Sequence, residues 1–224
     1  MRIPSLALIA AAVLACAAAP APYRYVPAHD DKSIGSPSAP VTVIEYGSVA
    51  CPHCAAWDRD VFPAFKKKYI DTGKVRFVFR EMLTGDPSLA AAGFVTARCA
   101  PPNKYFDVVH AIMRQQDEIY RGRQIRPPLI AIAKGVGLSE EKLTACLNDP
   151  HNLTAANTRS DLNAAMDSVD GTPAFVVNGI KLDGEQTLEQ LDKAISSAPP
   201  AAKPAALTKT PASASAPKPA PKKK

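Results

Sequence analysis

Val41-Thr42-Val43-Ile44-Glu45-Tyr46 is followed, after Gly47-Ser48-Val49-Ala50, by Cys51-Pro52-His53-Cys54. The first run is β-branched and aromatic, which reads as a buried strand. From Ala55 to Tyr69, Trp57, Val61, Phe65 and Tyr69 recur at helical spacing, so the cysteine motif opens a helix. Lys74-Val75-Arg76-Phe77-Val78-Phe79-Arg80 alternates apolar with polar residues at most positions and reads as a second strand. The local order is strand, paired cysteines at a helix start, helix, strand.

Two thiols within one helical turn can cycle between dithiol and disulfide. Cys51 stands at the helix N-terminus, where unpaired amides and the helix dipole favour a thiolate. His53, between the cysteines, can add positive charge or a hydrogen bond to that thiolate. A stabilised thiolate stabilises the reduced form, which makes the disulfide a stronger oxidant. The competing reading is half of a zinc or iron–sulfur site, which needs about four ligands. The other globular cysteines, Cys99 and Cys146, stand alone, and His29, His110 and His151 are scattered, so no metal is expected.

Beyond the second strand, residues 86–168 carry helical punctuation only. Asp86-Pro87 is an N-cap and first-turn pair leading a helix through Ala97 to Cys99, broken at Pro101-Pro102-Asn103. Phe106, Val109, His110 and Met113 mark a second apolar face, and Leu129, Ile132 and Ala133 a short third helix stopped at Gly135 and Gly137. Ser139 starts a fourth helix with Leu143, Cys146 and Leu147 on one face; residues near 151–167 form a fifth after Asp149-Pro150. Gly171-Thr172-Pro173 leads into the strand Ala174-Phe175-Val176-Val177, and Asn178-Gly179 turns it into the return strand Ile180-Lys181-Leu182. A helix over Thr187 to Ser197 closes the domain.

These features resemble the DsbA family of thioredoxin-fold thiol–disulfide oxidoreductases. The likeness rests on the strand, Cys-Pro-His-Cys at a helix start, a long helical insertion and Thr172-Pro173 before a strand, and it covers residues 38–197. It implies an α/β thioredoxin fold with an inserted helical subdomain at about 86–168. It also implies a cis peptide before Pro173, with Thr172 set against the active-site disulfide where its backbone can pair with bound substrate. Carried over by position, Cys51 is the exposed nucleophile, Cys54 the buried resolving thiol, and Pro52 and His53 the dipeptide that tunes them. Glu45 matches a buried acid of the family that assists proton transfer near the resolving cysteine; its other reading is an exposed polar strand position. Trp57 is a core residue or a wall of the site. Gly47-Ser48-Val49-Ala50 lacks the aromatic pair often seen there, which implies a narrower substrate groove. Threonine before the proline occurs in both oxidases and isomerase-type relatives.

Cys99 and Cys146 lie on two helices of the insertion, each on or beside an apolar face. In an oxidising compartment they form a structural disulfide or stay as two buried free thiols. The disulfide is the favoured reading, since some DsbA relatives from alphaproteobacteria carry a second bond. Closing that interval adds ~3–4 kcal/mol under the loop-entropy model. His110, beside Val109 and Met113, reads as a core or boundary histidine.

The ends differ from this middle. Leu6 to Ala19 is an apolar run of 14 residues after Arg2, too short to span a membrane and suited to a signal peptide over residues 1–19. Val13-Leu14-Ala15-Cys16 resembles a lipobox that would lipidate Cys16; ordinary cleavage after Ala17 would discard it. Residues 20–37 read as a Pro-rich spacer and 198–224 as a disordered Ala/Pro/Lys-rich tail. The net charge of +6 sits in that tail: without the six lysines of residues 199–224, 21 bases face 21 acids. A nucleic-acid partner is therefore not expected.

The expected activity is a dithiol oxidase of the bacterial periplasm with no cofactor, acting on unfolded or reduced exported proteins. A DsbB-type quinone-linked membrane oxidase would regenerate it. The alternatives are a reductase or isomerase served by a DsbD-type protein, and a non-catalytic lipid-anchored binding module or chaperone.

Overall fold

A computed structural model describes residues 23–28 and 30–199; the expected signal peptide with Cys16, His29 and the tail from residue 200 lie outside the described residues. Five strands form one mixed sheet in the order β1-β3-β2-β4-β5. They are β1 (Lys32–Ile34), β2 (Val41–Gly47), β3 (Val75–Glu81), β4 (Ala174–Val177) and β5 (Ile180–Asp183). β2 and β3 run parallel, pairing Glu45 with Phe79, while β2 and β4 run antiparallel, pairing Glu45 with Phe175. The Asn178-Gly179 turn joins β4 to β5 with both residues at positive φ, as a tight hairpin turn requires.

The strand period of two divides the interior into two layers. Val43, Phe77, Phe79, Phe175 and Val177 face the larger core with Trp57, Phe65 and Phe94. Ile44, Tyr46, Val78 and Val176 face a smaller core with Met82 and Val169. The helices are α1 (Pro52–Asp60), α2 (Phe62–Phe65), α3 (Pro87–Cys99), α4 (Tyr105–Gly122), α5 (Arg126–Gly135), α6 (Glu140–Asn148), α7 (Pro150–Met166) and α8 (Leu188–Ser197). Helices α3 to α7 form the insertion between β3 and β4, which is the thioredoxin fold with a helical subdomain. No helix among the described residues is long and apolar enough to cross a membrane.

Two readings of the sequence are corrected. The helix expected from Ala55 to Tyr69 is broken: α1 ends at Asp60, α2 follows, and Lys66–Ile70 winds as a π-helical turn. Pro63 has no N–H to donate and its ring crowds the preceding turn, so one regular helix cannot pass through it. The Pro-rich segment is not a bare spacer either. Lys32, Ser33 and Ile34 pair with Phe79, Val78 and Phe77 along the sheet edge. Arg80, 2% exposed, fastens the preceding residues by donating to Asp31 Oδ1 (3.3 Å) and to the Val26 carbonyl (2.8 Å). A buried guanidinium needs such partners, and chain that looks like a linker supplies them.

Cys99 at the end of α3 and Cys146 in α6 are joined by a disulfide with Cα atoms 6.5 Å apart. It borders a small apolar cluster of Ala133, Leu138 and Leu143. A second polar hub ties the insertion to the sheet. Glu81, 1% exposed, accepts from Arg98 on α3 (2.6 Å), Arg159 on α7 (2.9 Å) and the Tyr105 hydroxyl on α4 (2.9 Å).

Candidate active site

The site begins at the last turn of β2. Cys51 is the N-cap of α1, with extended backbone (φ −91°, ψ 120°) and Pro52 at the first helical position. Proline suits that position because its missing N–H would have had no helical partner. The amides of His53 and Cys54 then point back at the Cys51 sulfur. The chain brings Thr172 to the same point through the cis Thr172-Pro173 bond. The Cys51 thiol donates to the Thr172 carbonyl at 3.3 Å.

Cys51 and Cys54 are both reduced here, and their environments push them in opposite directions. A hydrogen bond from Cys54, then those from Thr172 and the amides of Cys54 and His53, lower the Cys51 pKa to about 5 against the opposing effect of burial. Cys54 is fully buried, and burial first, then Cys51 and Glu45, holds its thiol well above the usual range. The Ser48 amide donates to its sulfur at 3.4 Å. One sulfur is a ready thiolate and the other a held thiol. Cys51, expected to be exposed, is only 7% exposed, because the Thr172 loop closes over its thiol.

Glu45 is the buried residue of its two readings, 3% exposed between Phe79 and Phe175 on the neighbouring strands. Its Oε1 has no hydrogen-bond partner among the described residues. Burial, followed by the charges of Asp58 and Cys51, raises its pKa well above the carboxylate range. Gly47 makes the space: a Cβ there would lie 2.7 Å from the Phe79 ring and 2.9 Å from Glu45 Oε1. A protonatable carboxyl is thus buried within electrostatic reach of both sulfurs.

His53 is turned outward, 73% exposed, and its Nδ1 meets Glu185 Oε1 at 2.5 Å. That contact raises the His53 pKa, with Cys51 a smaller contributor. The imidazole therefore interacts with Cys51 only through charge at a distance, while the His53 backbone amide makes the contact. Trp57 is a core residue, packed on Phe175 and donating from Nε1 to the Gln186 carbonyl (2.9 Å). His110 is a boundary residue hydrogen-bonded to Asp58 and packed against Phe62.

Several residues beside the motif were not evident from sequence. Thr84 and Thr172 share a hydroxyl–hydroxyl hydrogen bond (2.5 Å), and Ser48 Oγ donates to the Thr84 carbonyl (2.8 Å). This ties the loop before Cys51, the loop after β3 and the Thr172 loop into one frame. Asp58 was within reach of sequence reasoning, since it follows Cys54 by four residues on one helix face. Glu185 and Thr84 had no local signal.

A family model described as Thioredoxin matches residues 28–197. A Rickettsia typhi protein assigned as a protein-disulfide oxidoreductase is 33% identical over 168 residues, which is 75% of this chain and 61% of that protein. The chain therefore spans about three fifths of the length of that relative. Disulfide bond formation protein D of Bacillus subtilis is 31% identical over 149 residues, 65% of this chain and 66% of that one. Among solved structures, alpha-DsbA1 of Wolbachia pipientis superposes with a TM-score of 0.69 at 27% identity, covering 76% of this chain and 92% of that chain. The family match over most of the length and the shared fold lead to one conclusion: the chain belongs to the DsbA family of thioredoxin-fold proteins.

Proposed function

We propose that this protein is a thiol–disulfide oxidoreductase that runs as a dithiol oxidase, inserting disulfides into exported proteins. The observation that carries the reading is the opposite bias of the two sulfurs, Cys51 down to about 5 and Cys54 well up, at one helix start. A low-pKa sulfur is a good leaving group, and its stabilised thiolate favours the reduced enzyme. In the oxidised enzyme a substrate thiolate attacks Cys51 Sγ. The Cys51–Cys54 bond breaks, and Cys54 leaves as a thiolate that takes a proton, with Glu45 the proposed donor. The second substrate thiolate then attacks the substrate sulfur of the mixed disulfide and releases the Cys51 thiolate. The substrate loses two electrons and the enzyme gains them. Thr172 and Pro173 would present backbone to the bound substrate as an added strand.

Regeneration by a DsbB-type quinone-linked oxidase and residence in a bacterial periplasm belong to the same proposal. The Cys99–Cys146 disulfide supports an oxidising compartment. Lipid attachment through Cys16 would place the domain at a membrane surface. The reduction potential of the Cys51/Cys54 pair against glutathione tests the direction, together with its redox state trapped in cells. The oxidase reading expects a pair more oxidising than thioredoxin and found mostly as disulfide. A pair held mostly reduced assigns the fold to a reductase or isomerase served by a DsbD-type protein.

A further inference from the structure

Two side chains of α4 cross from the helical insertion to the segment just before the nucleophile. Gln116, 1% exposed, donates from Nε2 to the Val49 carbonyl at 2.8 Å. The Tyr120 hydroxyl donates to the Ala50 carbonyl. Residues four apart share a helix face, so one stripe of α4 takes both carbonyls. Val49 and Ala50 are fully buried, so their carbonyls need such partners, although Tyr120 itself is 37% exposed.

The Ala50–Cys51 peptide is held at both polar atoms. Its carbonyl meets Tyr120, and its amide nitrogen, Cys51 N–H, donates to the Ser48 carbonyl at 3.2 Å. Gly85, at φ +81°, closes the remaining side; a Cβ there would stand 2.3 Å from the Ala50 oxygen. The tilt of this peptide plane fixes φ at Cys51, and φ decides where Sγ stands relative to the amides of His53 and Cys54. The Tyr120 hydroxyl is a donor at neutral pH like any tyrosine, and partial burial raises its pKa further above the ordinary 10.0.

We propose that Tyr120, seconded by Gln116, is a positioning residue for Cys51, through which the helical insertion sets how well the nucleophile is aligned with its amide donors. The inference deepens the oxidoreductase reading and rests on Cys51 being its nucleophile. It gives the insertion a direct part in tuning the redox pair.

Tyr120→Phe in the full chain tests it, since the ring stays and one donor is lost. The Cys51 pKa is read from alkylation rate against pH, the Cys51/Cys54 equilibrium from glutathione titration, and the urea midpoint alongside. The expected result is a higher Cys51 pKa and an equilibrium shifted about threefold toward the oxidised enzyme, which follows from half a pKa unit. Tyr120→Leu should shift both readouts at least as far. Unchanged pKa and equilibrium in Tyr120→Phe, with only the urea midpoint moved, overturns the inference. So does a shift in Tyr120→Leu alone, which would assign the effect to ring packing. An unmodified protein whose Cys51 titrates near an ordinary cysteine overturns both this inference and the oxidase reading, whereas a low pKa indifferent to Tyr120 overturns this one alone.

Discussion

Cys51 and Thr172 stand 121 residues apart in sequence and are joined by a hydrogen bond from thiol to carbonyl. The bond brings the start of α1 to the loop that leaves the helical insertion. Thr84 secures the same loop from the other side through its hydroxyl contact with Thr172. The proposed nucleophile is therefore framed by three chain segments, and its acidity, to which Thr172 contributes after Cys54, is only in part a tertiary property. The motif provides the Cys54 hydrogen bond, which is the largest influence, and the amides of Cys54 and His53; the long-range loop adds the Thr172 contact.

Cys51 should titrate near pH 5, far below a free cysteine. A depressed pKa contributes stability that is complete above the unfolded value of 9.0 and is lost as pH falls through the folded value of about 5. Glu45, with a raised pKa, acts in the opposite sense, but it is present in both redox forms and largely cancels between them. The stability of the reduced form minus that of the oxidised form should therefore rise from pH 5 toward pH 9. Paired urea unfolding curves of the two forms across this range provide the check, and a flat difference would contradict the assigned thiolate.

Replacing Glu45 with leucine should separate stability from function. The carboxyl lies in an apolar pocket with an unpaired oxygen, and such a group costs on the order of 1–3 kcal/mol. Because burial raises its pKa, that cost is least below the unfolded value, where the carboxyl is neutral in both states, and grows as pH rises toward the folded value. Glu45→Leu should thus stabilise the fold, more at pH 8 than at pH 4. The same variant should slow disulfide exchange with a dithiol peptide if Glu45 is the proton donor proposed for Cys54. Greater stability with undiminished exchange would remove Glu45 from the proton path.

Sequence patterning reached as far as local chemistry reaches. The β2 pattern and the cysteine motif place Cys51 at a helix start, because both depend on neighbours in the chain. Thr172-Pro173 was legible through the family resemblance. β1 was hidden, since Lys32-Ser33-Ile34 is too short and polar to show a period, and it forms only because the β3 edge is open beside it. Gln116 and Tyr120 carry no signal in the helical pattern of Phe106, Val109, His110 and Met113, and their contacts appear only when the insertion folds back on Val49 and Ala50. Of the two roles open to His53, a charge or a hydrogen bond to the thiolate, the side-chain hydrogen bond goes instead to Glu185, 132 residues away, which occupies its Nδ1. Long-range polar contacts leave no periodic mark, and the frame around the motif consists of them.

The Cys99–Cys146 bond closes an interval of 47 residues. Loop entropy assigns this closure about 4 kcal/mol, with native strain able only to reduce it. Cys99→Ala/Cys146→Ala should lower the unfolding free energy by up to that amount and leave the Cys51 pKa in place. The bond lies among Ala133, Leu138 and Leu143 in the insertion, and neither cysteine is hydrogen-bonded to the redox pair. A shift in the Cys51 pKa of the double variant would show instead that the second disulfide is coupled to the first.

Arg80→Met should be among the most destabilising single changes outside the redox site. Arg80 lies on the sheet face opposite Cys54, within hydrogen-bonding distance of Asp31, Asp167, the Tyr46 hydroxyl and the Val26 carbonyl. Its loss leaves the Asp31 carboxylate, 7% exposed, without a cation, and breaking one partner from a buried pair costs about 3–5 kcal/mol. Tyr25 and Tyr46 still donate to the two carboxylates, which argues for the lower end of that range. Asp31→Asn should cost less, because an amide can still accept from Arg80. The N-terminal segment should become accessible to protease in Arg80→Met, as it loses its tie at Val26 and Asp31. The Cys51 pKa should not move, because the whole sheet separates the two sites. Equal protease resistance in the variant and the parent would mean that β1 pairing alone holds residues 23–37 to the domain.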